Sequence, residues 1–196
     1  MIKKLTGFFA FLLSVTISFS QTNPGAQLLP FNLNSQTGGT LPAGVAVHRF
    51  GTTAGAIPTT RTLIPGNGDL PYVLTVGSGG WKDEAANGLS ILASGAQSAG
   101  ALIIAINTTG STNIAVQWTT RLILQNPSWD NNIALQYRIG TTGNFIDIGT
   151  TSTFNTAGQV VGYSQTYLET LPAAAENQAV VQVRFIYWAT AGGSGS

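Results

Sequence analysis

Residues 179–188 read "AVVQVRFIYW", and they alternate along their whole length. Val181, Val183, Phe185 and Tyr187 point one way, while Val180, Gln182, Arg184, Ile186 and Trp188 point the other. A period of two with one fully apolar side marks a strand that lays that side on a core. Gln182, Arg184 and Trp188 then fall on the face turned away from it.

The same alternation recurs upstream. Within 133–139, Ile133, Leu135, Tyr137 and Ile139 oppose Ala134, Gln136 and Arg138. Within 116–124, Val116, Trp118, Thr120, Leu122 and Leu124 oppose Gln117, Thr119, Arg121 and Ile123. Further short apolar stretches at 45–50, 72–76, 89–93, 101–106 and 145–149 are set apart by Gly, Pro, Asn and Asp clusters. "IGTTGNF" reads as a hairpin loop through Thr141, Thr142 and Gly143. No stretch holds a 3.6-residue stripe for three turns, and the best helical candidate, 171–178, is a single turn or a loop. The pattern predicts an all-β protein, an antiparallel two-sheet β-sandwich of jelly-roll or immunoglobulin-like kind.

The chain opens with Lys3 and Lys4, an apolar run from Leu5 to Ile17, and small residues at Ser18 and Ser20. Those are the three parts of a secretory signal, with cleavage expected before Gln21. The run is too short to span a bilayer comfortably, so no membrane span is expected in the mature chain. Residues 21–44 read as an irregular leader or first strand, and 45–196 as the sandwich domain. Losing Lys3 and Lys4 leaves six basic against seven acidic residues, a net charge of −1, which gives nucleic acid no basic footprint. Only 8% of the residues are charged and none is cysteine, so the fold must rest on its core and on a surface of Thr, Ser, Asn, Gln and Gly.

Catalytic chemistry is sparse. His48 is the only histidine and sits inside a strand pattern, and no G-x-S-x-G elbow accompanies it. "GNGDLP" at 66–71 and "GSGGWK" at 77–82 read as glycine turns, since neither completes a phosphate-binding motif. The seven carboxylates are scattered, and no spacing selects a glycosidase pair. Asp83 and Glu84 are weak calcium candidates on a loop. No catalytic residue and no cofactor is expected. The most specific pattern is polar: Gln117 with Arg121, Gln136 with Arg138, and Gln182 with Arg184 all lie on the non-core side of their strands. Together with Trp188 they would form a Gln/Arg face able to hold sugar hydroxyls and stack on a ring, provided the strands share a sheet.

"GGTLPAGVAV", "WKDEAANGL", "NTTGSTNIAVQW", "IALQYRIG" and "LPAAAENQAVVQVRFIYWATAGGSGS" together resemble a β-sandwich module of secreted Bacteroidetes multidomain proteins. The resemblance implies a non-catalytic module that stands beside exported nucleases, phosphoesterases or C-terminal sorting domains. Two motifs depart from it. The family's D-R-A-x-G is here Asp83-Glu84-Ala85-Ala86-Asn87-Gly88, and its E-x-W-R has no counterpart around Trp118. Family members also continue past the S-G-S turn into a closing strand, which implies that this chain lacks its last strand and keeps an unpaired edge prone to self-association. The reading is therefore an exported, non-enzymatic interaction or adhesion module whose partners are glycans or other surface proteins. The alternative is an accessory module of a secreted hydrolase whose catalytic domain lies elsewhere.

Overall fold

A computed structural model describes residues 22–33, 41–50, 66–69, 72–73, 80–83, 88–92, 99–125, 130–149 and 153–189. Residues 1–20, expected to be a secretory signal, as well as Glu84 and residues 190–196, lie outside these. The described chain is all-β, with one turn of 3₁₀ helix at Ala173–Ala175 inside the stretch expected to hold a turn.

Among the described residues thirteen strands follow one another. They are β1 (Gln27–Leu28), β2 (Val45–Phe50), β3 (Gly66–Asp69), β4 (Tyr72–Val73), β5 (Gly80–Asp83), β6 (Leu89–Leu92) and β7 (Ala99–Asn107). Then come β8 (Ala115–Arg121), β9 (Asn131–Ile139), β10 (Ile146–Asp147), β11 (Thr153–Asn155), β12 (Ser164–Thr170) and β13 (Val181–Ala189). A large sheet runs β10-β9-β13-β7-β2-β3, with β1 also on β7 and β11 also on β9. Two small sheets complete the described strands, β12-β8 and β4-β5-β6. The stretches at 66–69 and 80–83, expected as glycine turns, are strands instead. Glycine serves strand and turn alike, so its presence alone did not separate them. The sheets are mixed where antiparallel ones were expected, because β1 runs parallel to β7 and β4 parallel to β5.

The opening stretch is the spine of the large sheet. β13 pairs with β9 along Val181–Ala189 and with β7 along Val181–Trp188. Both of its sides are therefore occupied, so no edge is left open along β13. The hairpin after β9 forms through Gly140 and Gly143, whose φ of 76° and 83° suit residues without a Cβ, and returns Ile146 opposite Tyr137.

One face of the large sheet carries Ile106, Leu135, Tyr137, Val181 and Val183, and the ribbon of β8 and β12 lies on it through Trp118 and Leu122. Trp118 stacks on Tyr167 at 4.2 Å between centroids and meets Phe185 edge-on at 5.4 Å. Farther along that face Val47, Leu102 and Tyr187 receive Trp81 of β5, which meets Tyr187 edge-on at 5.9 Å. Each small sheet thus inserts one tryptophan. The 3₁₀ turn is tied down by Thr108, whose buried hydroxyl donates to Ala175 O at 2.6 Å.

Candidate functional site

The structure separates the expected Gln/Arg face into two places. β9 and β13 are neighbours, and their register sets Gln182 beside Arg138 and Arg184 beside Gln136. β8 belongs to a different sheet, on the opposite face, so Gln117 and Arg121 do not join them.

Burial separates them further. Gln136, Gln182 and Arg184 are each 0% exposed, and Arg138 is half-buried. This overturns the solvent-facing reading of Gln136, Gln182 and Arg184. The large sheet is covered on both faces, so alternation sorts apolar from polar residues there and does not sort buried from exposed ones. Ala99, Ala101, Ile103, Ala134, Phe145 and Ile186 pack together on this second face, with half-buried Trp188 against them. Trp188 is part of that packing, and its carbonyl accepts from Asn132 Nδ2 at 3.4 Å.

A hydrogen-bonded network joins these buried polar groups. Arg184 Nε donates to Gln136 Oε1 at 2.6 Å, and Gln136 Nε2 donates to Asp147 Oδ1 at 2.7 Å. A second rung joins Arg138 Nε to Gln182 Oε1 at 2.8 Å. Asn23 fastens that rung, because its Oδ1 accepts from Arg138 Nη2 at 3.2 Å and from Gln182 Nε2 at 3.0 Å. The Arg138 and Arg184 guanidiniums lie over the Phe145 ring at 4.3 and 4.1 Å from its centroid. Residues 22–24 thus cross this face, and Thr22 O lies 2.7 Å from Nε2 of buried His48. His48 is a structural histidine here.

Burial first, and the nearby Arg138 charge second, push the Arg184 guanidinium down to about 9, with Asp147 opposing both. Burial also lowers Arg138. The unfolded chain holds this proton more tightly than the folded one, so the penalty on Arg184 is complete below about pH 9 and lifts as the pH climbs above it. In urea titrations, the wild type is expected to gain on Arg184→Met between pH 9 and 11. A gap that stays constant over that window would contradict this assignment.

The exposed remainder lies on the ribbon. Along β8, Ala115, Gln117, Thr119 and Arg121 are exposed while Trp118 is buried. The register places Ser164, Thr166 and Leu168 of β12 beside Arg121, Thr119 and Gln117, and the Thr119 and Thr166 hydroxyls meet at 2.8 Å. The result is a flat outward face of hydroxyl, amide and guanidinium groups. Sequence reasoning missed the β12 half. "SQTYLET" has a single apolar residue, Leu168, on one side and only Tyr167 between Gln165 and Glu169 on the other, so it shows no apolar face.

Of the calcium candidates, Asp83 ends β5 opposite Leu89, and Glu84 lies outside the described residues. Among the described residues no three His, Cys, Asp or Glu side chains gather as a metal site would require. Nor is any described helix long and apolar enough to cross a membrane. No protein-family model matches the chain, and neither does any curated protein or solved structure.

Proposed function

We propose that the chain is an exported, non-enzymatic β-sandwich of jelly-roll or immunoglobulin-like kind, serving as an interaction or adhesion module with affinity for glycans. The observation that carries this reading is the outward face of the β8–β12 ribbon. Gln117 and Arg121 stand exposed on one side of one strand, with the hydroxyls of Thr119, Thr166 and Ser164 beside them. Amide and guanidinium groups offer fixed planar donors, and hydroxyls both donate and accept, which is the inventory that sugar hydroxyls match. The two small sheets lying on one face of the large sheet support the sandwich. The burial of His48 against Thr22 O supports the non-enzymatic part. Lys3, Lys4 and the apolar run behind them support export, as does the motif resemblance to secreted modules.

A glycan array probed with the purified protein tests it. Signal on a subset of glycans is expected, to be lost in Gln117→Ala and Arg121→Ala with unchanged urea midpoints. A blank array for the wild type would overturn the glycan reading, and so would signal indifferent to both substitutions.

A further inference from the structure

Among the described residues, no strand pairs with the side of β12 that faces away from β8. Leu171 N donates to Ile114 O and Leu122 N to Tyr163 O, each at 2.8 Å. Bonded pairs therefore fall at Gln165, Tyr167 and Glu169, whose peptide groups turn toward β8. Ser164, Thr166, Leu168 and Thr170 turn theirs outward, and all four residues are exposed. Proteins usually guard such an edge with brevity, lysine, proline or a bulge. Along the outer side of β9 the large sheet has short strands, two residues in β10 and three in β11. β12 has seven residues, with neither lysine, arginine nor proline among them. Its one charge, Glu169, sits on the same side as Tyr167, not among the outward residues of the ribbon face.

We propose that β12 pairs with β12 of a second copy of this chain, antiparallel about a two-fold axis at Tyr167, to give a four-stranded sheet ordered β8-β12-β12-β8. In that register Ser164 meets Thr170 and Thr166 meets Leu168 of the other copy. All four outward peptide groups of each strand then find partners, which makes about eight backbone hydrogen bonds across the axis.

The side chains are self-complementary in the same register. Gln165 meets Glu169 of the second copy, and the two-fold repeats the pair. Gln165 Oε1 already accepts from Tyr163 OH at 3.3 Å and from Tyr167 OH at 2.5 Å. Its Nε2 is the group left to donate, and a carboxylate is the strongest acceptor a neighbour can offer it. No like charges face each other, whereas an axis placed at Glu169 would set the two carboxylates together. Leu168, 69% exposed, gains a neighbour at the join. The inference does not depend on the ligand of the ribbon face; it doubles that face whatever the face binds.

Sedimentation equilibrium across micromolar concentrations tests it, with a dimer expected for the wild type. Thr166→Pro removes an outward N–H that has no partner among the described residues, so it is expected to be monomeric with its unfolding midpoint kept. Thr119→Pro makes the same change on the outer side of β8 and should remain dimeric. Gln165→Glu sets carboxylates against each other and should weaken the dimer by about tenfold or more. Adding Glu169→Gln to it restores an amide–carboxylate pair and should restore the dimer. A wild type that stays monomeric overturns the proposal. So does a Thr166→Pro variant that still dimerises, loss of the dimer in Thr119→Pro, or failure of the double exchange to rescue.

Discussion

Gln136→Leu is expected to lower the unfolding free energy by about 2–4 kcal/mol, a large share of the roughly 5–15 kcal/mol that holds a domain together. Gln136 is 0% exposed and bridges two charged groups, accepting from Arg184 Nε and donating to Asp147 Oδ1. Hydrogen bonds to charged groups contribute about 1.5–3 kcal/mol each, and leucine makes neither. The Asp147 side is half-buried, so water replaces part of what is lost there. The Arg184 side is fully enclosed, so that loss stands nearly in full. Leucine has similar volume, so the cost comes from the polar mismatch and not from a cavity.

Arg184→Met should cost less than Gln136→Leu. It leaves Gln136 Oε1 without its donor, but it also removes the charge whose burial is unfavourable. Combining the two substitutions should recover much of the stability, since replacing a whole buried ionic arrangement by apolar residues is often neutral or favourable. Urea midpoints at an unchanged denaturant slope would give the order. A double variant whose loss equals the sum of the single losses would mean that the two residues are not coupled.

This network shows where the sequence was legible and where it was not. The alternation in 179–188 located β13 and named correctly which of its residues share a side, because side-chain period is a property of the strand alone. Whether the polar side meets water depends on what else folds over it, and no local pattern carries that. Two signals pointed to cover all the same. β7 reads "AGALIIAIN", apolar on both sides, which is how a strand buried on both faces reads. Its Ala105, 0% exposed, stands opposite Gln182, and Ala101 and Ala105 flank Ile103, the direct neighbour of Arg184. Small residues flanking long polar ones leave space for those chains to lie down along the sheet, where Asn23 and Phe145 meet them. The contribution of Asn23 was illegible, because it sits 159 positions from Gln182 in the chain. On the ribbon, β8 was legible from the single alternating side that carries Trp118. β12 was not, because it borrows that tryptophan through Tyr167 instead of bringing an apolar face of its own.

Trp118→Ala is accordingly expected to release the ribbon while the large sheet stays folded. Truncating a buried aromatic of this size costs about 3–5 kcal/mol. Trp118 is 7% exposed, stacks on Tyr167 within the ribbon and meets Phe185 of β13 edge-on, so it links both ribbon strands to the large sheet. Leu122 and half-buried Val116 remain, but two-stranded ribbons are marginal alone and need a packed face. β13, by contrast, keeps both neighbours and the second-face packing of Ile186 with Ala101 and Phe145. Native-state hydrogen exchange separates the two levels. Amides of Val116, Trp118 and Thr120, and those of Gln165, Tyr167 and Glu169, point into the ribbon and should lose protection by about a hundredfold or more, the lower part of that energy range. Amides of Val183, Phe185 and Ile186 should keep most of theirs. Trp118→Phe retains a ring against Phe185 and should fall between. If the β13 amides lose protection by the same factor as the ribbon amides, ribbon and sheet open as one unit, and the ribbon is no separable layer.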